Sequence, residues 1–243
     1  GPFHATSAQL TLTIAAPTIV YAPSSPVAAT VGVAYSQSLA GAAGGTSPYT
    51  YTLASGSLPS GMTLSSNGTL SGTPTAGGPF NFTVTATDSS TGTQYSTTSS
   101  QLTLNVNAPT ISLSPAPGAL PHPRAGVAYT QVITASGGTA PLQLSYTGTP
   151  PPGMSFDVAT GTLSGTPTST GTYTLTVKAT DSSTGTGPYN GQAAYSIVVD
   201  DPLIVLSPAS GSFNGTATAA YSQSFAGSSG TAPYAYALTV TSG

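Results

Sequence analysis

Few side chains in this 243-residue chain could take part in acid–base, nucleophilic or metal chemistry. The chain has no cysteine, no glutamate, five aspartates, two histidines and two basic residues, Arg124 and Lys178. A serine nucleophile would need a histidine base and an acid that orients it. His4 and His122 have no carboxylate beside them in sequence. We therefore expect no catalytic residue and no enzymatic activity.

Calcium is the metal that the aspartates could serve, because it takes six to eight oxygen ligands, several of them from carboxylates. Asp88 and Asp181 are lone acids that each precede Ser-Ser-Thr-Gly, whereas Asp200 and Asp201 are adjacent. These four residues are weak calcium candidates. The favoured interpretation is that Asp88 and Asp181 close Asx-type turns by accepting backbone N–H groups. We expect no metal and no cofactor, with calcium as the alternative.

The composition excludes two classes of partner. Charged residues make up 3% of the chain, against about 25% in an ordinary domain. Binding to nucleic acid needs a basic patch that neutralises phosphates, and two basic residues cannot form one. No run approaches the roughly 18 apolar residues of a membrane-spanning helix. With so few lysines and arginines, the chain also offers trypsin-like proteases almost nothing to cut, which suits a protein exposed outside the cell.

The sequence repeats itself at an offset of 92–94 residues. GTLSGTPT occurs at 68–75 and 161–168, and ATDSSTGT occurs at 86–93 and 179–186. GVAY occurs at 32–35 and 126–129, with a weaker copy in TAAYSQS at 218–224. This period is longer than the roughly 20–50 residues of a solenoid repeat. Each repeat is therefore predicted to be a small domain with its own core.

Aligning the repeats divides the chain into four segments. Residues 1–16 match the last strand region of a preceding repeat, and 17–108 and 109–201 are two complete repeats. Residues 202–243 match the first half of a further repeat. We therefore expect that this chain is a window on a longer array.

Apolar and polar residues alternate along several stretches, which predicts β-strands with one buried face. Phe82, Val84 and Ala86 alternate with threonines, and the same pattern recurs at Leu175–Ala179 and Leu10–Ile14. In each repeat TLSGTP is predicted to be a core strand that ends at its glycine and proline. Asn67-Gly68 predicts a two-residue hairpin turn. About seven short strands in roughly 92 residues is typical of an immunoglobulin-like sandwich.

Three other residue types could carry chemistry. A buried lysine beside an acid could form an isopeptide bond, but Lys178 is predicted to face outward, as its equivalent Thr85 does. N-x-[ST] sequons could carry glycans in a host that glycosylates, and they stand at Asn67, Asn81 and Asn214. Recurring tyrosines are predicted to be core residues or buried anchors with a hydrogen-bonded hydroxyl, with sugar stacking as the alternative. They are Tyr35, Tyr49, Tyr51, Tyr129, Tyr221, Tyr234 and Tyr236.

The order of GVAYSQSLAG, GTSPYTYTL, LPSGMTLSSNGTLSGTPT and FTVTATDSSTG resembles the putative-Ig, dystroglycan-type cadherin-like family found in tandem in bacterial surface proteins. The resemblance covers nearly the whole chain. It implies an all-β fold of tandem immunoglobulin-like (cadherin-like) β-sandwich domains arranged as a rod. It also implies an extracellular location. The DxD and DxNDN patterns of calcium-dependent cadherins are missing here, which argues against calcium.

Together these observations predict a structural segment of an extracellular bacterial surface fibre or adhesin stalk, without catalysis. Its expected partners are the neighbouring repeats of the same chain, further copies that associate laterally or end to end, and a host or matrix glycan or protein. Two alternatives stay open. The chain could be a glycan- or protein-binding module, or a subunit of a polymer assembled by strand donation into an incomplete sandwich.

Overall fold

The computed structural model describes residues 1–5, 8–209, 211, 213–229, 233–237 and 239. None of these residues lies in a helix, and accordingly the described residues contain no helix that is long and apolar enough to cross a membrane. The all-β class predicted from the alternating pattern is confirmed. The chain divides into two compact units, one formed by Gly1–Ala108 with Ser183–Gly187 and the other by Pro109–Ser182 with Pro188–Gly243.

The described residues form twenty strands. The strands of the first repeat are β1 Ala29–Thr30, β2 Tyr35–Ser38, β3 Thr50–Gly56, β4 Met62–Leu64, β5 Thr69–Gly72, β6 Ala76–Thr87, β7 Ser96–Thr98 and β8 Leu102–Asn107. The later strands are β9 Ser112–Ser114, β10 Gly118–Ala119, β11 Tyr129–Val132, β12 Thr134–Ser136, β13 Gln143–Gly148, β14 Met154–Asp157, β15 Thr162–Gly165, β16 Gly171–Thr180, β17 Thr184–Gly185, β18 Asn190–Val199, β19 Val205–Ser207 and β20 Ala226–Ser228.

Two sheets form the first unit. In the larger sheet β6 is central, because β3, β7 and β8 all pair with it antiparallel and β17 adds a short parallel pairing. The first strand, β1, pairs in parallel with the last strand of the repeat, β8. The second sheet has the order β2-β5-β4.

The second unit repeats this plan. One sheet has the order β10-β18-β16-β13, with β10 parallel to β18, and the other has the order β11-β15-β14. Two short pairs, β9 with β12 and β19 with β20, complete the unit. Side chains from both larger sheets meet in one core, in which Phe156 and Leu163 lie with Leu175 and Ile197.

The alternation in sequence marks the buried face correctly in both complete repeats. Phe82, Val84 and Ala86 are at most 1% exposed, and their equivalents on β16 are fully buried. The last strands of the two repeats, β8 and β18, likewise bury every second side chain. The intervening threonines face outward, so each sheet has one apolar face and one hydroxyl-rich face.

The repeated TLSGTP sequence is the central strand of the smaller sheet, as predicted. Leu70 and Leu163 are fully buried. Gly72 and Gly165 end the strands at a φ of +139°, a conformation that disfavours other residues. The following prolines are also buried, and their carbonyls accept the N–H groups of Gly32 and Gly126. These contacts explain why the same residues recur.

The hairpin at Asn67-Gly68 forms, but its predicted length is wrong. The Ser65 N–H donates to the Thr69 carbonyl and the Gly68 N–H donates to the Ser65 carbonyl, which leaves three residues in the loop. Gly68 has a positive φ of 85°, whereas Asn67 is not among the residues with positive φ. A type I turn followed by one left-handed residue closes such a loop. Asn67 accepts the Thr69 N–H through its side chain instead.

The strand predicted at Leu10–Ile14 is wrong. These residues belong to no strand, and Leu10, Leu12 and Ile14 are 83–92% exposed. An alternating pattern specifies a strand only where a neighbouring strand and a core face are available. In residues 202–239 the described part contains only β19 and β20, and Phe213 packs edge-to-face against Phe225 while both stay partly exposed.

Replacing a buried leucine of TLSGTP should destabilise the domain that contains it. We expect Leu163→Ala to lower the free energy of unfolding of the second repeat by about 2–5 kcal/mol, because it leaves a cavity in a closed core. Chemical denaturation of the full chain, followed by NMR signals of each repeat, measures this. Ser164→Ala, at the outward-facing neighbour on the same strand, is the matched control and should change stability little.

Candidate functional site

The Asp88 side chain is buried at one end of the first unit and holds three chain segments together. One carboxylate oxygen accepts the Thr46 N–H at 3.1 Å, and the other accepts the Tyr95 N–H at 2.8 Å. Ser90 donates its hydroxyl and its backbone N–H. The Ser90 N–H contact, at 3.4 Å, is the predicted Asx turn. Asp88 directly follows β6, Thr46 lies in the loop before β3, and Tyr95 lies in the loop before β7. The shorter bonds therefore tie the end of β6 to both loops.

Asp181 makes the equivalent arrangement in the second unit, where it is 5% exposed. Its carboxylate accepts the Thr139 N–H at 3.0 Å and the Tyr189 N–H at 2.7 Å. The Asp181 N–H in turn donates to the Tyr189 carbonyl. We call each set, Asp88 with Thr46 and Tyr95 or Asp181 with Thr139 and Tyr189, an aspartate clamp.

Each clamp needs a glycine beside the carboxylate. A Cβ at Gly45 would lie 2.7 Å from Oδ2 of Asp88, and a Cβ at Gly138 would lie 2.6 Å from Oδ2 of Asp181. Both distances are too short for a carbon atom. The glycine of the GTSP and GTAP loops therefore lets the backbone approach the buried acid.

Hydrogen bonds keep Asp88 ionised. The Ser90 hydroxyl, followed by the backbone N–H groups of Tyr95, Thr46 and Ser90, lowers the pKa of Asp88 from its usual 3.8 to about 2. Burial opposes this shift but is outweighed. Because donors already surround the carboxylate, its chemical role in the structure is to order loops.

The clamps bring no further acid to Asp88 or Asp181. Among the described residues, no three histidine, cysteine, aspartate or glutamate side chains lie close enough together to hold a metal ion. Beside the first clamp lies an open groove of about 640 Å³. Its lining includes Thr46, Ser89, Ser90, Thr93 and Tyr95.

The other two calcium candidates lie just beyond the last strand of the second repeat. Oδ1 of Asp200 lies 3.4 Å from Nδ1 of His122, and the Arg124 guanidinium donates to the Asp201 carbonyl at 3.2 Å. The structure thus gives His122 an acid neighbour that its flanking sequence does not show. A ring nitrogen thus faces the Asp200 carboxylate, and the Arg124 contact engages the backbone carbonyl of Asp201.

The remaining predicted residues are separate from one another. His4 is exposed, and Lys178 is exposed on β16 between Ser145 and Gln192, so no acid lies opposite it on either neighbouring strand. The sequon residues Asn67, Asn81 and Asn214 are all exposed.

The tyrosines divide into core and surface residues. Tyr51 is buried, and its hydroxyl accepts the N–H groups of Gly41 and Ala42.

Tyr35 is half-buried and donates to the Val27 carbonyl or the Gln37 amide oxygen. The equivalent Tyr129 hydroxyl is buried and has no hydrogen-bond partner among the described residues, so the anchor prediction fails for its hydroxyl. Tyr221 and Tyr236 are 53% and 58% exposed, which contradicts their predicted burial, and Tyr49 and Tyr234 are half-buried.

Three parts of these sites were not predicted from the sequence. They are the loops of Thr46 and Thr139, the backbone of Tyr95 and Tyr189, and the contact between His122 and Asp200. A signal for the first two exists in the repeat. Each of these residues recurs at the same 93- or 94-residue offset as Asp88 and Asp181. No comparable signal marks His122, because the first repeat has Ala28 there.

Comparison with known families gives the same repeat. The family model described as "Putative Ig domain" matches residues 16–107 and again residues 108–200. The chain belongs to this family. It contains tandem Ig domains, which confirms the resemblance inferred from sequence and the immunoglobulin-like class of the sandwiches.

Three solved structures with similar chains are 15–20% identical to this chain. An endo-fucoidan hydrolase of glycoside hydrolase family 107 is 20% identical over 74% of this chain and 29% of its own, with a TM-score of 0.36. The extracellular cadherin domains 3–6 of protocadherin gamma B2 are 15% identical over 76% of this chain and 52% of theirs, with a TM-score of 0.32. Drosophila N-cadherin is 15% identical over 75% and 51%, with a TM-score of 0.30. This chain thus spans between about a third and a half of these proteins. No curated protein sequence matches it.

The stability of the first Ig domain should fall in acid because of Asp88. Its pKa is lower in the folded state, about 2, than its usual 3.8. The clamp therefore stabilises the domain fully above about pH 4–5, and this contribution is lost as the pH falls through 3.8 toward 2. Denaturant unfolding across this range should show the loss, and Asp88→Asn should remove that part of the pH dependence. An unchanged profile in the variant would contradict the assignment.

Proposed function

We propose that this chain is a segment of an extracellular bacterial surface fibre or adhesin stalk, in which the Ig domains act mechanically and catalyse no reaction. The observation that carries the proposal is that the last strand of each complete repeat pairs in parallel with a strand near the start of that repeat, β8 with β1 and β18 with β10. Membership of the Ig domain family and the 3% charge content support it further.

The first repeat closes through a parallel seam between β1 and β8. Ala29 pairs with Val106 and Thr30 with Asn107. The seam extends by one further bond, from the Val31 N–H to the Asn107 carbonyl at 3.1 Å. Ala29 and Val31 are buried, so the bonds are shielded from water on the core side.

The second repeat closes in the same way, over a longer seam. Gly118 and Ala119 pair with Tyr195 and Ser196. Arg124, which lies six residues after Gly118, forms an isolated parallel bridge to Asp200. The Ala125 N–H donates to the Asp200 carbonyl at 3.1 Å, which is the counterpart of the Val31 bond.

Parallel terminal strands suit a load-bearing domain. When two paired strands run in the same direction, a pull on the start of one strand and on the end of the other slides them along each other. The bonds between them, which lie across the direction of pull, must then yield together. Antiparallel terminal strands would instead be peeled apart one bond at a time.

The arrangement of polar groups supports a structural role over catalysis. The clamp aspartates are surrounded by loop donors, and His122, the described histidine that lies near an acid, is exposed together with Asp200. The outward sheet faces carry paired hydroxyls, such as Thr85 with Thr98 at 2.8 Å, and little charge that would repel a second copy. This supports lateral association of chains as part of the proposal. The rod-like arrangement, end-to-end association and the adhesion target remain predictions.

Removing one seam bond should weaken a domain under load more than at rest. Val31→Pro and Ala125→Pro each delete the N–H that donates to the last strand. We expect each to lower the unfolding force of its own domain while the other domain keeps its force. Single-molecule force spectroscopy on the full chain, held between reference domains, measures both events.

The matched control is Thr103→Ala, at an exposed outward position on β8. It lies on the same strand but leaves every seam bond intact. Unfolding forces in the proline variants that equal those of the unaltered chain would show that the seam bears no load. The stalk function would then lose its main support.

We also propose that the Ig domains hold no calcium. Extracellular calcium modules bind with dissociation constants of roughly 10⁻⁴–10⁻³ M, so calcium at about ten times that range would stabilise a calcium-binding domain. We expect thermal unfolding to be the same with this calcium as with a chelator. A rise in the unfolding temperature that Asp200→Asn or Asp88→Asn abolishes would show a site instead.

A further inference from the structure

The ionisable side chains of this chain are not evenly spread. Only nine residues are lysine, arginine, aspartate or histidine. Four of the nine lie together at the end of the second repeat's seam: His122, Arg124, Asp200 and Asp201. A concentration of this kind in a chain with 3% charge needs an explanation.

The four residues cross the seam in pairs. His122 and Arg124 follow β10 on one side of the seam, and Asp200 and Asp201 follow β18 on the other side. Nδ1 of His122 lies 3.4 Å from Oδ1 of Asp200, and Nη1 of Arg124 donates to the Asp201 carbonyl at 3.2 Å. Between them, the Asp200 N–H donates to the Pro123 carbonyl and the Ala125 N–H to the Asp200 carbonyl. Side chains therefore bridge the same strands as the backbone bonds.

The first repeat has the seam without these side chains. Its equivalents of His122 and Arg124 are Ala28 and Thr30, and its equivalents of Asp200 and Asp201 are Asn107 and Ala108. The backbone bond is nevertheless the same, because Val31 N–H to Asn107 O and Ala125 N–H to Asp200 O both measure 3.1 Å. The chain thus contains its own comparison, one seam with the charged groups and one without.

No other charged group of the second repeat's larger sheet lies near His122. On β16, Lys178 stands opposite Gln192, eight residues before Asp200, or about 27 Å at roughly 3.4 Å per residue. The other titratable groups on the packed strands are the phenols of Tyr146, Tyr173 and Tyr195, and β10 has none.

We infer that His122 and Arg124, with Asp200 and Asp201, form a polar clasp that makes the second repeat's seam open less often than the first repeat's. Both partners in the His122–Asp200 pair are partly exposed, at 48% and 38%, so the effect is modest. An exposed ion pair changes an opening equilibrium by about 1.5- to fivefold. The clasp needs no applied force, so it can hold even if the stalk function proposed above is wrong.

Amide hydrogen exchange of the full chain, followed by NMR, tests the clasp at the two matched bonds. The probes are the Ala125 and Val31 amides, with protection factors corrected for intrinsic exchange. We expect His122→Ala to lower the protection of the Ala125 amide by about 1.5- to fivefold, because it removes a side-chain contact across the seam. The Val31 amide should show no such change.

A second variant tests the other side chain of the clasp. Arg124→Ala should also lower the protection of the Ala125 amide, and the double variant His122→Ala with Arg124→Ala should lower it further. Both substitutions are at exposed positions and should leave the fold intact. Ala125 protection that stays unchanged in the double variant, or an equal loss at the Val31 amide, would overturn the clasp.

Transfer of the clasp to the first repeat is the complementary test. Ala28→His with Asn107→Asp places the same pair at two exposed positions beside the Val31 bond. We expect the Val31 amide to become about 1.5- to fivefold better protected. Failure of the double variant to change Val31 protection would contradict the inference.

Discussion

A carboxylate removed from water must be matched by donors, and this requirement shapes one end of both Ig domains. Asp88 and Asp181 are each bound by backbone N–H groups from two loops that are far apart in sequence. Without those donors a buried acid would be strongly unfavourable. The loop before β3 or β13 and the loop after β6 or β16 are therefore held together, and the long central strands are fixed in register at that end.

Backbone pairing holds the last strand of each complete repeat. That strand pairs in parallel with a strand near the start of the repeat, β8 with β1 and β18 with β10. The clamp orders loops through a charge and the seam joins strands through backbone bonds. Each complete repeat also buries apolar side chains in a core, such as that around Leu163 and Leu175 in the second repeat.

The two domains share this plan but differ at the seam. Backbone bonds of equal length close both, whereas charged side chains bridge only the second. Repetition of sequence therefore conserves what folding needs, namely TLSGTP, the glycine beside the acid and the acid itself. The positions that vary between repeats, such as Ala28 and His122, are where the domains can differ in behaviour.

The sequence by itself determined the repeat, the all-β class, the buried face of each long strand and the family. These follow from local pattern, because alternation and glycine–proline placement act within a few residues. It did not determine the hairpin loop length, the exposed state of Leu10–Ile14, or the partners of Asp88 and His122. The partners of Asp88 and His122 depend on contacts between distant residues, such as Thr46 and Asp88, which are 42 positions apart. The hairpin loop length is set by nearer bonds, such as that from the Thr69 N–H to Asn67. Only the tertiary structure decides them, because a strand or a buried charge is stable only when the rest of the domain supplies its neighbours.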